Sequence, residues 1–166
     1  MSRLKIVTGG QTGVDQAALF AARMCQVQTG GCAYQKNGKE YVTEEGEAEW
    51  LQEYGLESVG KYNDQYGYNV YKTDATLVFG VSTGGSNLVR VLCRMAQKPI
   101  RHIGWSPSDG FSETPEGVAK WLTMMNVKQV CVAGNRESKN PGIGEAVYEW
   151  LVNCFEEMQR LDRRPW

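Results

Sequence analysis

The 166 residues include one histidine, His102, and no CxxC pair. The five cysteines, Cys25, Cys32, Cys93, Cys131 and Cys154, are odd in number and far apart. Structural zinc sites need four Cys or His ligands at short spacings, so this pattern argues against one, and against a disulfide framework. No apolar run approaches the roughly 20 residues of a membrane helix. Met1–Ile6 leads straight into strand-like sequence without the character of a secretion signal. The expectation is a cytoplasmic protein, off the membrane, whose thiols are reduced and serve mostly as small buried apolar groups. Neither sign of charge dominates: 18 Lys and Arg against 19 Asp and Glu leave a formal charge of -1. That is too little positive field to suggest a nucleic-acid partner.

What is present is a globular balance, 42% hydrophobic and 22% charged, which excludes a disordered chain. At roughly 100–200 residues per domain this is one domain, expected over residues 1–161, with 162–166 as a loose tail.

Short apolar runs alternate with amphipathic ones. Leu4–Thr8 reads as a strand ending in Gly9-Gly10. Val14, Ala17, Ala18, Ala21 and Met24 then recur at helical spacing, predicting a helix over Gly13–Cys25. Gln28–Thr43 reads as irregular, because Gly30-Gly31 and Asn37-Gly38 signal turns. Glu44–Tyr54 fits a short helix capped by Thr43, and Asn63–Thr73 another. Ala75–Phe79 (ATLVF) is continuously apolar, as in a strand covered on both faces. A glycine-rich loop, Gly80–Ser86, precedes a helix over Asn87–Gln97 and a strand over Pro99–Trp105. Thr114–Asn126 is a helix with Thr114 as N-cap and Pro115 in its first turn. Lys128–Ala133 is the last strand and Gly144–Leu161 the closing helix. Such alternation implies right-handed crossovers, hence an α/β three-layer sandwich with a mainly parallel central sheet.

In an open parallel sheet, ligands bind beyond the carboxyl ends of the strands, where strand order reverses. Three loops meet that description. Gly9, Gly10, Gln11, Thr12 and Gly13 join the first strand to the first helix. Glycines allow close backbone approach, and a helix start offers free N–H groups with partial positive charge, a setting for phosphate or another oxyanion. Gln11 adds an amide and Thr12 a hydroxyl. A merely tight turn has the same composition, and neither GxGxxG nor GxxxxGK[ST] is present. Asp15, in the first helical turn, either complements the helix dipole or orients the loop and reaches a sugar hydroxyl. Gly84, Gly85, Ser86 and Asn87 put glycines and a small hydroxyl at a second helix start, where Ser86 or Asn87 could equally be the N-cap. The third loop opens Gly134, Asn135, Arg136, Glu137, Ser138 and runs to Gly144. Arg136 can take a phosphate or carboxylate bidentately, or pair with Glu137. Tyr62, Tyr66, Tyr68 and Tyr71 are first a packing surface and second a base-stacking platform. His102, on a strand, reads as structural.

Ile6–Leu19 (IVTGGQTGVDQAAL), Asn69-Val70, Thr73–Phe79, the Gly84-Gly85-Ser86 loop and Val132–Ser138 followed by Pro141-Gly142-Ile143 resemble, in order, the putative molybdenum carrier family. That family is similar to lysine-decarboxylase-like nucleotide-binding proteins, which include cytokinin-activating phosphoribohydrolases. The resemblance covers most of the chain. It implies a Rossmann-like fold and a homo-oligomer. The chain departs from the family where a Trp-Cys-Pro-Lys-Gly-Arg-like segment is usual; here Gly31–Lys39 reads GCAYQKNGK. An arginine-threonine pair before Asn69 is also missing. The phosphoribohydrolases carry a glutamate three residues beyond their glycine-threonine turn, where this chain has Val89.

Residues and resemblance together suggest a binding protein for a phosphorylated small molecule, a nucleotide derivative or a molybdenum cofactor-like ligand. The loops at Gly9–Gly13 and Gly84–Asn87 would donate N–H groups and Arg136 would close the anion site. Gly134, Glu137 and Ser138 would stand beside it, and Asp15 or Asn69 would touch a ribose or pterin edge. One alternative is an N-glycosidic hydrolase or transferase using Asp15 and Glu137 as carboxylates. Another is a sensor or sponge for a signal nucleotide. No metal ligand and no catalytic residue is assigned.

Overall fold

The computed structural model describes residues 4–34, 52–59, 62–82 and 84–163. In chain order it forms β1 (Lys5–Val7), α1 (Val14–Met24), β2 (Gln28–Tyr34), β3 (Leu56–Val59), α2 (Tyr62–Tyr71), β4 (Ala75–Phe79), α3 (Gly84–Ala96) and β5 (Ile100–Ile103). A small hairpin, β6 (Trp105–Ser106) and β7 (Gly110–Phe111), leads to α4 (Pro115–Met124), β8 (Gln129–Gly134) and α5 (Ile143–Asp162).

Among the described residues, six strands make one parallel sheet in the order β3-β2-β1-β8-β4-β5. Side chains alternate faces along a strand, and here both faces are apolar. Leu77 and Phe79 of β4 and Val130 and Val132 of β8 join a core with α1, α4 and α5, including Val14, Leu122, Val147, Leu151 and Phe155. The intervening Val78, Cys131 and Ala133 face α2 and α3, where Tyr66, Val70, Val89 and Cys93 complete a second core. These are the three layers of a Rossmann-like sandwich, as the alternation of elements predicted. Phe79 has no exposed surface and meets Trp150 edge-on at 5.1 Å, so Phe79→Ala would cost about 3–5 kcal/mol. Helix α4 starts as expected: the Thr114 hydroxyl accepts from the Gly117 N–H at 3.1 Å, and Pro115 opens the helix.

The structure corrects several sequence readings. Gln28–Tyr34 is a strand, not an irregular stretch. Its glycine pair serves close packing instead of a turn: a Cβ on Gly31, at φ +131°, would collide with the backbone of Thr8, just past β1. Strand β3 and the β6–β7 hairpin are additional elements, and the strand expected to run to Trp105 stops at Ile103. Helix α3 begins at Gly84, so Gly84–Ser86 are its first turn and not a loop before Asn87. Helix α5 continues through Asp162 into the expected tail. The helix expected over Glu44–Tyr54 lies mostly outside the described residues, as do residues 35–39 and 164–166.

Strand β8 lies between β1 and β4. From β1 the chain steps through α1 to β2 on one side, and from β4 through α3 to β5 on the other. The reversal of strand order therefore falls at the three central strands, and the three polar loops all leave their carboxyl ends.

Candidate functional site

The loops after β1 and β8 are seated on each other. The Val14 N–H donates to the Asn135 carbonyl at 3.2 Å. Gly13 allows this approach: at φ +80°, a Cβ there would stand 2.5 Å from the Asn135 oxygen. The Thr8 hydroxyl donates to the Val132 carbonyl at 2.8 Å, and the Gln16 amide donates to the Gly10 carbonyl at 3.2 Å. Asp15 is 5% exposed, and its carboxylate accepts from the Gln11 backbone N–H at 3.3 Å. Desolvation pushes its pKa up to about 7, against the lowering effect of backbone hydrogen bonds from Gln11 and Gly9. Asp15 is thus tied into the Gly9–Gly13 loop from beneath.

A cavity of about 440 Å³ opens beyond β1, β4 and β8. Its lining draws on all three loops: Gln11 from the first, Gly84, Gly85 and Ser86 from the second, Gly134, Asn135, Arg136 and Lys139 from the third. Tyr66 of α2 and Val81 complete it. The backbone N–H groups that open a helix have no intrahelical partners and carry partial positive charge, so the start of α3 offers donors to this space. Arg136 and Lys139 add two cationic groups. Gln11 is 5% exposed; its Oε1 accepts from the Tyr66 hydroxyl at 3.4 Å. Its Nε2 is buried without a hydrogen-bond partner among the described residues. A buried unsatisfied donor costs about 1–3 kcal/mol, so this amide is poised for an acceptor.

Other expected site residues stand elsewhere. Glu137 caps α5: its carboxylate accepts from the N–H of Gly142 at 2.6 Å and of Gly144 at 2.9 Å. With Thr12, Gly13, Phe20 and Tyr148 it lines a separate, mainly apolar groove of about 520 Å³. Gly9 and Gly10 are buried, while Ser138 and Asn87 are exposed, and none of these four lines the 440 Å³ cavity. The Asn69 amide is spent on β2, accepting from the Cys32 N–H at 2.8 Å and donating to the Cys32 carbonyl at 3.1 Å. Val89 lies in the second core. His102 Nε2 lies 2.7 Å from the Gly80 carbonyl, a structural bond. Tyr66 is buried, whereas Tyr68 and Tyr71 are exposed. Sequence reasoning missed Asn135, Lys139, Tyr66 and Val81 as lining residues. Lys139 sat unassigned in the third loop, and Tyr66 was read first as packing and second as part of a base-stacking platform.

All five cysteines are buried, unpaired thiols. Burial pushes Cys32 up to about 11 and raises Cys131 and Cys154 further, so none is a ready thiolate. Among the described residues no His, Cys, Asp and Glu cluster could hold a metal ion, and no helix is long and apolar enough to cross a membrane.

A parallel sheet covered on both faces, with polar loops gathered where its strand order reverses, defines a Rossmann-like α/β protein. Within that class, the chain belongs to the circularly permutated YpsA SLOG family, whose model matches residues 6–155. The topology accords with a circular permutation: if β8 and α5 preceded β1, the strand at the reversal would be the first in sequence instead of the last. The chain is also similar to the solved putative molybdenum carrier protein of Syntrophus aciditrophicus SB. The two share 27% identity at a TM-score of 0.71, over 95% of this chain and 96% of that one. The resemblance read from the sequence therefore holds. A slighter likeness, 12% identity at a TM-score of 0.39, links 93% of the chain to 59% of an (E)-4-hydroxy-3-methyl-but-2-enyl diphosphate reductase. None of the curated proteins matches.

Proposed function

We propose that this chain is a binding protein for a small phosphorylated molecule, a nucleotide derivative or a molybdenum cofactor-like cargo, held by its phosphate in the 440 Å³ cavity. The observation that carries this reading is the buried Gln11 Nε2, without a hydrogen-bond partner among the described residues, in a cavity that also holds Arg136, Lys139 and the start of α3. A phosphate would accept from the α3 N–H groups, from the Arg136 guanidinium in bidentate fashion and from the Lys139 ammonium. Gln11 would donate Nε2 to a further acceptor on the ligand. The name of the Syntrophus protein supports a molybdenum-related cargo.

Native mass spectrometry of gently purified protein tests this directly, because it reports the mass of anything bound. Calorimetric titration with ribose 5-phosphate and inorganic pyrophosphate follows. Arg136→Ala and Gln11→Ala should each weaken binding about tenfold while the fold persists. Unchanged affinity in both variants places the site elsewhere.

A further inference from the structure

We infer that the cavity beneath the β6–β7 hairpin is a second subsite of the same ligand, for a planar nitrogen heterocycle whose edge carries adjacent N–H donors. This rests on the phosphate reading above and extends it to the rest of the molecule bound.

The cavity measures about 310 Å³ and is lined by Val81, Gly104, Trp105, Asp109, Phe111 and Ser112, among others. Small-molecule sites run from about 300 to 1,000 Å³, so a ring system is the right scale of occupant. Val81 lines both this cavity and the 440 Å³ one, so the two adjoin. A ligand with its phosphate against Arg136 has its remainder directed past Val81 toward the hairpin.

The wall between the two spaces is firmly set. The Asn135 amide accepts from the Val81 N–H and donates to the Val81 carbonyl, both at 2.8 Å. Asn140 Nδ2 lies 3.2 Å from the Trp105 carbonyl and 3.3 Å from Asn135 Oδ1, donating to both. The loop after β8 therefore holds the start of the hairpin as well as one side of the anion cavity. Trp105 leans on Phe111 at 6.1 Å, and Phe111 meets Phe79 of the core edge-on at 6.3 Å. The aromatic lining is thus anchored before any ligand arrives.

The polar chemistry of this cavity differs from that of its neighbour. Among the described residues no cationic side chain lines it, and its charged group is the Asp109 carboxylate. The Ser106 hydroxyl donates to Asp109 Oδ2 at 3.2 Å and accepts from the Asp109 N–H at 3.1 Å, fixing that side chain on the hairpin turn. Among the described residues nothing engages Asp109 Oδ1. A carboxylate accepts only, so it selects a ring edge with neighbouring N–H groups. The 2-amino-pyrimidinone edge shared by guanine and pterins has that pattern. Adenine sets a ring-nitrogen acceptor beside its amino group and would face the carboxylate with a lone pair.

The test is calorimetric titration of the whole protein with GMP, AMP, 6-hydroxymethylpterin phosphate and ribose 5-phosphate. The expected result is that GMP or the pterin phosphate binds at least tenfold tighter than ribose 5-phosphate, with AMP weaker than GMP. The tighter of the two identifies guanine or pterin as the natural ring. Trp105→Ala should lose about tenfold toward the ring compounds and nothing toward ribose 5-phosphate, while Trp105→Phe retains most of the affinity. Asp109→Asn, an exposed hairpin change, should keep the melting temperature and erase the preference for GMP over AMP. The subsite is overturned if GMP and the pterin phosphate bind no tighter than ribose 5-phosphate, or if Trp105→Ala and Asp109→Asn leave ring-compound binding unchanged. If ribose 5-phosphate binds in an Arg136-dependent way and the ring adds nothing, only this subsite falls. If no compound binds, the phosphate reading falls and takes the subsite with it.

Discussion

Asn135 holds Val81 by both of its amide's polar atoms, each at 2.8 Å, so that one side chain does the work of a strand neighbour for a residue that has just left the sheet. Asn135 itself is 3% exposed. Truncating it strands two backbone groups of Val81, partly within reach of water. Asn135→Ala should destabilise the protein by about 2 kcal/mol in urea unfolding. It should also increase hydrogen exchange at Val81 and Trp105 together. Exchange confined to one of the two would mean that the loop does not couple them.

Gly13 carries a strain no other residue can absorb cheaply. Its φ of +80° and the nearness of the Asn135 and Glu137 backbones leave no room for a methyl group. Gly13→Ala should cost about 3 kcal/mol or more in the same unfolding assay, because backbone, and not a flexible side chain, must move. A loss under 1 kcal/mol would mean that the two loops separate easily.

Burial raises the Asp15 carboxyl in the folded protein from its ordinary 3.8 to about 7. Between those limits the folded state binds more protons than the unfolded one, so the stability Asp15 confers is full below about 4 and declines as pH rises to about 7. Above that the decline ends. Asp15→Asn keeps an acceptor for the Gln11 N–H and removes the titration. The variant's melting temperature should gain on wild type from pH 4 to pH 7 and then run parallel to it. Parallel curves throughout would show that the Asp15 carboxyl is not shifted upward.

Arg136 and Lys139 bring positive charge to a cavity open to solvent, so binding of inorganic pyrophosphate should weaken steadily with added salt. Arg136→Ala should lower that affinity about tenfold and reduce the salt dependence, with the unfolding midpoint unchanged. An undiminished salt slope would take Arg136 out of the site.

Glu137 is the oxygen-bearing cap of α5. Glu137→Ala should lower stability by about 1 kcal/mol while leaving ribose 5-phosphate binding intact. A large loss of binding at full stability would reverse that assignment.

The sequence was legible where physical signals were local. ATLVF is apolar throughout because β4 is covered on both faces, and Thr114-Pro115 marks the α4 start because capping is a matter of adjacent residues. The three loops could be recognised as a group, since parallel strands send all such loops to one edge. Strand β2 was hidden because its packing uses glycine and a borrowed Asn69 amide in place of alternating side chains. Within the candidate site, Gln11, Ser86 and Arg136 could be named from composition. Tyr66 and Val81 could not, since what brings them in is the crossing of α2 over the sheet and the grip of Asn135. Glu137 and Asn69 look like ligand contacts in sequence, but a polar side chain near a glycine turn is as often occupied by its own backbone.

The central position of β8 has a bearing on how the protein is made. On a ribosome, β1 through β5 emerge first and can pair only as two separate groups, each with an exposed edge where β8 belongs. The long-range pairings that join the groups, Lys5 with Gln129 and Ala75 with Val130, wait for the latest strand of the sheet. Such a chain closes like a zipper whose slider is fitted last, and its nascent form is the stage most exposed to edge-to-edge association.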